Sequence, residues 1–217
     1  MAFGDLVQAK RGTTSVTLTS APTTGNLLVF SAYASSAVTF TAPTGFTLGT
    51  AVSTGGGSSR ASQSFWKISD GTETGAISPA TGTPTYCLIA EYAGAFAATP
   101  IDVENNQLVT TASSFDSPSV TPVSGVTRLL VASQGDENAG GATWGLSPQF
   151  NGSSAGVLSD LSTGVGDGML FHKVEASTSG SYVATDDTAS NSGNGESAIM
   201  IFTPGTIARK YILIPGR

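Results

Sequence analysis

Leu27-Leu28-Val29-Phe30 decides how the rest of the chain is read. Successive side chains of a β-strand point to opposite faces. A short unbroken apolar run therefore predicts a strand covered on both sides. Working outward, Ser15-Val16-Thr17-Leu18-Thr19 alternates polar and apolar residues. Phe65-Trp66-Lys67-Ile68 and Leu88-Ile89-Ala90-Glu91-Tyr92 are further strand-like runs. Between them lie turn formers, at Pro43-Thr44-Gly45, Gly55-Gly56-Gly57, Asp70-Gly71 and Gly82-Thr83-Pro84. Gly, Pro and β-branched residues interrupt every window long enough for a helical period.

The second half follows the same order. Ser119-Val120-Thr121 echoes Ser15-Val16-Thr17, and Leu129-Leu130-Val131-Ala132 echoes Leu27 to Phe30. Phe171-His172-Lys173-Val174 echoes Phe65 to Ile68, and Ala198-Ile199-Met200-Ile201-Phe202 echoes Leu88 to Tyr92. The offsets drift from about 102 to about 110 residues, as loop insertions between diverged copies would produce. One four- or five-stranded sheet leaves an apolar face open. The pattern therefore predicts an all-β, jelly-roll-like antiparallel β-sandwich made of two diverged repeats. The two copies are either packed face to face or exchange strands between sheets. The expected single sandwich covers residues 1–205, with copies at about 1–99 and 106–205. Pro100 to Pro118 reads as the connection, with an edge strand at Asn106-Gln107-Leu108-Val109-Thr110. Residues 206–217 lie outside the repeat. Their apolar run Tyr211-Ile212-Leu213-Ile214 reads either as a last strand or as an arm that adds to a neighbour's sheet edge.

Composition narrows the function classes. The chain has 217 residues, of which 11% are charged, and a formal net charge of −6. That balance speaks against gripping nucleic-acid phosphates, which needs clustered Lys and Arg. The local basic group is Arg209, Lys210 and Arg217, read as a solvated tail or a contact for an acidic partner. The single cysteine, Cys87, excludes an internal disulfide and sits in an apolar run, as a small core residue would. The start Met1-Ala2-Phe3-Gly4-Asp5 lacks the pattern of a signal peptide, and no apolar run approaches membrane-spanning length. The expectation is a protein made in a cytoplasm, with no membrane and no cofactor.

Little in the sequence points to catalysis. The one histidine, His172, occupies the repeat position of Trp66, which favours a structural role. One His and one Cys cannot assemble a common zinc site. Gly152-Ser153-Ser154-Ala155-Gly156 matches the nucleophile-elbow pattern G-x-S-x-G, but its surroundings read as loop and not as a strand-to-helix turn. Asn151-Gly152-Ser153 is a glycosylation sequon without a secretory route. Asp136-Glu137, Asp160, Asp167 and Asp186-Asp187 show no calcium-loop spacing and read as solvated loops. Trp66 reads as core. Trp144, in Ala142-Thr143-Trp144-Gly145, is the candidate ligand or partner contact.

Four segments in order resemble accessory structural proteins of tailed bacteriophages. They are Gly25-Asn26-Leu27-Leu28-Val29, then Pro43-Thr44-Gly45-Phe46-Thr47-Leu48, then Phe65 to Glu73 (with Ser69-Asp70-Gly71-Thr72-Glu73), and then Leu88 to Gly94. The resemblance spans residues 1–205 and is clearest in the first half. Asp70-Gly71-Thr72-Glu73 has no counterpart near Glu175. The resemblance implies a virion protein, a capsid decoration or cement subunit exposed on the particle. Its expected partners are other virion proteins (major capsid or tail subunits) and further copies of itself. Arg209, Lys210, Tyr211, Ile212, Leu213 and Ile214 are the partner-binding candidates. Two alternatives stand beside this one. A tail-associated adhesin would bind host glycans through Trp144. A carbohydrate-active enzyme would need two convergent carboxylates.

Overall fold

The computed structural model describes residues 1–34, 36–49, 61–109, 116–136, 148–159, 167–185 and 195–205. None of these is helical. The strands are β1 (Leu6–Gly12), β2 (Leu27–Ala34), β3 (Thr47–Leu48), β4 (Ala61–Ile68), β5 (Tyr86–Tyr92), β6 (Phe96–Val109), β7 (Arg128–Asp136), β8 (Gln149–Phe150), β9 (Ser153–Ser154), β10 (Gly156–Ser159), β11 (Asp167–Glu175), β12 (Ala184–Thr185) and β13 (Gly195–Pro204). They form an antiparallel five-stranded sheet β1-β5-β2-β4-β3 and a second one, β10-β11-β7-β13-β6. A small three-stranded sheet, β12-β8-β9, accompanies the second.

The apolar run on β2 sorts its side chains as its pattern requires. Leu27 and Val29 enter a central core shared with Leu129, Val131, Leu170, Met200 and Phe202 of the second sheet. Leu28 and Phe30 point the other way, into an outer core closed by loop residues such as Val16, Phe40, Phe46 and Ile77. All eight residues of β2 and all seven of β5 are buried. The second sheet has its own outer core, in which Leu130, Phe171, Ile199 and Ile201 meet Phe150, Tyr182 and Ala184. The protein is thus a β-sandwich whose two sheets pack face to face, and each sheet is roofed on its far side by its own connections. Each half of the chain supplies one whole five-stranded sheet, so strand exchange between the sheets is not seen among the described strands.

The two sheets have the same strand order when β1, β5, β2, β4 and β3 are matched with β6, β13, β7, β11 and β10. The echoes in sequence also fall at matching registers. Val29 faces Trp66 and Val131 faces His172; Ser31 faces Leu88 and Ser133 faces Ala198. Even the isolated bridges agree, with Val16 against Ile77 and Val120 against Tyr182. Val16 and Leu18 are buried as alternation predicts, but this stretch makes one bridge and no strand.

The joint between the halves is shorter than the sequence suggests. Strand β6 begins at Phe96, ten residues before the expected edge strand at Asn106, so only Ala93-Gly94-Ala95 connects the sheets. Phe96 and Ile101 pack against the central core, which draws this stretch into the sheet. Pro100 is tolerated because β6 is an edge strand, where a missing N–H need not break a ladder.

One contact sets how the sheets mesh. Tyr33 and Tyr86, opposite one another on β2 and β5, stack with ring centroids 4.6 Å apart. Across from them Gly135 and Gly168 pair on β7 and β11. A Cβ on either glycine would overlap a tyrosine ring. Two aromatic side chains of the first sheet fill a notch left by two missing side chains of the second, and Tyr33 hydrogen-bonds Ser133 across the gap.

Candidate functional site

The four segments that carry the resemblance meet at one end of the first sheet. Gly25 N donates to Ser69 O and Ser69 N to Asn26 O, both at 2.8 Å, which joins the first segment to the third. Asn26 Nδ2 donates to Glu91 Oε1 (2.6 Å), and Gly94 N donates to Asn26 Oδ1 (3.3 Å), which joins the first to the fourth. Pro43 to Phe46 faces Lys67, Asp70 and Glu73 across a hollow of about 660 Å³.

Lys67 lines this hollow. Its Nζ lies 2.6 Å from Glu73 Oε1 and 3.0 Å from Asp70 Oδ2. Ser69 Oγ donates to Glu73 Oε2 (2.8 Å), and Asp70 N donates to Glu73 Oε1 (3.2 Å). Thr72 donates through its backbone N (2.9 Å) and its hydroxyl to Asp70 Oδ1, closing an Asx turn. Every oxygen of both carboxylates is thus engaged within the turn. Hydrogen bonds from Thr72 and then Lys67 bring the Asp70 carboxyl down to about 2. Burial alone would raise Glu73, but the hydrogen bonds from Lys67 and Ser69 outweigh it and hold the group below its ordinary value. Burial alone would lower Lys67, and its hydrogen bonds to Glu73 and Asp70 outweigh that and raise it. Both carboxylates are therefore ionised and Lys67 is charged at neutral pH. This cluster offers neither a protonated acid nor a neutral amine for catalysis. What it does is tie the end of β4 to the turn that follows.

That chemistry has a testable acid limb. Depressed carboxylate values in the folded state contribute stability above the unfolded values, lost as pH falls through the folded ones. The wild-type denaturant midpoint should drop as pH goes from 3.8, the ordinary aspartate value, towards about 2. An Asp70→Asn/Glu73→Gln variant should show a shallower drop over that interval in urea titrations followed by fluorescence.

A second polar centre was missed by sequence reasoning. Glu91 is 1% exposed. Its carboxylate accepts from Asn26 Nδ2 (2.6 Å), Thr23 N (2.8 Å) and Gln8 Nε2 (2.6 Å). Gln8 Oε1 in turn accepts from Thr19 N (3.0 Å). The signal was a lone acid inside the apolar run Leu88 to Tyr92. The second half uses a different device: Arg128 Nε donates to Asp102 Oδ2 at 2.7 Å, and Val123 N donates to the same oxygen at 3.1 Å.

The other sequence candidates separate cleanly. His172 lies on β11, with its ring 5.4 Å from that of Tyr92 in the central core. Trp66, its counterpart, is half-buried against the same core. Cys87 is fully buried, and burial pushes its thiol up to about 12, so thiolate chemistry is suppressed. The G-x-S-x-G stretch is a hairpin. Asn151 and Gly152, both at positive φ, turn β8 into β9, as an Asn-Gly pair does in a two-residue loop. Asp136 and Asp167 are brought opposite one another across β7 and β11. Glu137, Trp144, Asp160, Asp186, Asp187, Arg209, Lys210, Tyr211, Ile212, Leu213 and Ile214 lie outside the described residues. Among the described residues no group of three or more His, Cys, Asp or Glu side chains is placed to hold a metal ion. Compared with known proteins, the chain matches no family model, no curated protein and no solved structure.

Proposed function

We propose that the chain is a structural protein of a bacteriophage particle, a decoration or cement subunit exposed on the surface and built from two copies of one ancestral sheet. The observation that carries this reading is the convergence of the four resembling segments at one end of the first sheet, where their polar side chains hold loops in place. A signature of that kind preserves a shape. The common strand order and register of the two sheets support the duplication.

A shell protein must stay folded without cofactors or disulfides. Burial of both faces of β2 and β5 supplies that, at roughly 1.5–3 kcal/mol for each large apolar side chain. In this reading Tyr211 to Ile214 is the anchor, because an apolar, β-prone sequence gains most when another surface covers it. Mass spectrometry and imaging of purified particles test the proposal. The protein should be present in many copies at a fixed surface position. Its absence from intact particles would overturn the reading.

A further inference from the structure

Asn151-Gly152 closes the β8–β9 hairpin, and both residues are exposed. The chain has one other Asn-Gly pair, Asn194-Gly195, whose Asn194 lies outside the described residues. Although exposed, the Asn151 carboxamide is fastened at both ends. Its Nδ2 donates to Ser181 O at 2.5 Å, and its Oδ1 accepts from Val183 N at 2.8 Å. The backbone N of Asn151 donates to Val183 O at 3.1 Å. The β8–β12 ladder pairs Phe150 with Ala184, so the carboxamide carries that ladder one step further, to the hairpin tip.

An Asn-Gly pair is open to hydrolytic loss of the side-chain amide, because glycine has no side chain to shield its own N–H. Apart from its chain neighbours, a Cβ at Gly152 would meet only Gln149 Oε1, at 3.8 Å, so the approach to its nitrogen is clear. In the reaction a base removes the Gly152 N–H proton and the nitrogen attacks Asn151 Cγ. The N–Cγ bond forms, the Cγ–Nδ2 bond breaks, and Nδ2 leaves as ammonia with a proton returned from the base. One water then opens the imide ring at either carbonyl, which gives aspartate or isoaspartate. The sum is asparagine and water going to a carboxylate and ammonium. The fold opposes the first step, since Nδ2 must give up Ser181 O to leave and turning Cγ onto the Gly152 nitrogen breaks the bond from Val183 N. It also opposes refastening. In aspartate an oxygen replaces Nδ2 and faces Ser181 O, acceptor against acceptor. In isoaspartate the main chain gains a carbon within a two-residue turn.

We propose that Asn151 is a gated modification site. The amide is retained while the hairpin tip is fastened to residues 181–183, it is hydrolysed when the tip lifts, and the product leaves the tip unfastened. Phe150, 1% exposed and with its ring 5.3 Å from that of Phe171, anchors the root of the hairpin. The tip can therefore lift as a local opening, without the sandwich unfolding. Each event adds one negative charge and records that opening permanently, wherever the protein resides.

Peptide mapping by mass spectrometry tests this on the full chain, aged at mildly alkaline pH with and without unfolding concentrations of urea. A peptide of residues 149–154, aged in the same two buffers, corrects for the solvent. Conversion at Asn151 should be about tenfold slower in the folded chain, equivalent to about 1.4 kcal/mol, which two intramolecular hydrogen bonds are able to supply. Val183→Pro removes the donor to Oδ1 and should raise the folded-state rate several-fold with an unchanged circular dichroism spectrum. Asn151→Asp, the direct product, should speed hydrogen exchange at the Val183 amide while the amides of β7 keep their protection. Equal corrected rates in the folded and unfolded chain, a Val183→Pro rate like that of the wild type, or undiminished protection of the Val183 amide in Asn151→Asp would each overturn the proposal. If Val183→Pro does not fold, the urea comparison and the exchange measurement decide it.

Discussion

A Gly168→Ala variant should lose about 3 kcal/mol of stability, at the upper end of what overpacking a core costs. The added methyl would overlap the ring of Tyr86, whose hydroxyl and ring edge occupy the space above the glycine. Tyr86 cannot swing aside, because it is stacked on Tyr33 and both are less than a tenth exposed. The sheets must part locally or the rings must leave their rotamers. For a domain held by 5–15 kcal/mol, such a loss is visible as a large fall in denaturant midpoint. The cause is tested by a double-mutant cycle. Tyr86→Ser alone should destabilise by leaving a cavity. Combined with Gly168→Ala, it should cost clearly less than the sum of the two, because the methyl then fills space that the ring has left. Additive losses would show that the notch is not where the strain arises. Gly135→Ala should behave in the same way against Tyr33.

Glu91→Ala should cost a similar amount, about 3 kcal/mol, by a different route. Removing the carboxylate strands three donors, of which Asn26 Nδ2 is buried and Thr23 N and Gln8 Nε2 are part-buried. Each unsatisfied buried donor costs about 1–3 kcal/mol, and Gln8 recovers part of its share through Ser20 O. Glu91→Gln should recover less than its shape suggests, because its amide NH₂ would face at least one of those donors. Hydrogen exchange distinguishes this from general destabilisation. The Thr23 amide, which donates to Glu91, should lose protection before the amides of β2 do. Equal loss across both would mean that Glu91 holds the whole sheet and not the loop beside it.

The apolar run on β2 was read correctly because four successive apolar residues allow few arrangements of a strand. Both faces must be covered, and they are. The elbow-like stretch at Gly152 was read correctly as lacking its strand-to-helix context, and its Asn-Gly pair has the local chemistry of a hairpin. Strand β1 was less legible. Leu-Val-Gln-Ala-Lys-Arg-Gly has no clean alternation, and its residues are half-buried or exposed, as edge strands are. The start of β6 was hidden by Pro100, which reads as a break unless the strand is known to lie at an edge.

The candidate site follows the same division. Lys67, Asp70 and Glu73 are close in sequence, and their turn was legible as a turn from Asp70-Gly71. Their convergence with Pro43 to Phe46, and that of Glu91 with Gln8 and Asn26, are long-range and were not. By itself the sequence determined the strand class, the double-sided burial and the matching order of the two halves, because these follow from side-chain alternation and from short local patterns. Only the tertiary structure decided that each half makes one sheet and that two tyrosines meet two glycines between them. Those are facts about which distant segments touch. A glycine in a strand looks the same in sequence whether it weakens a strand or makes room for a ring.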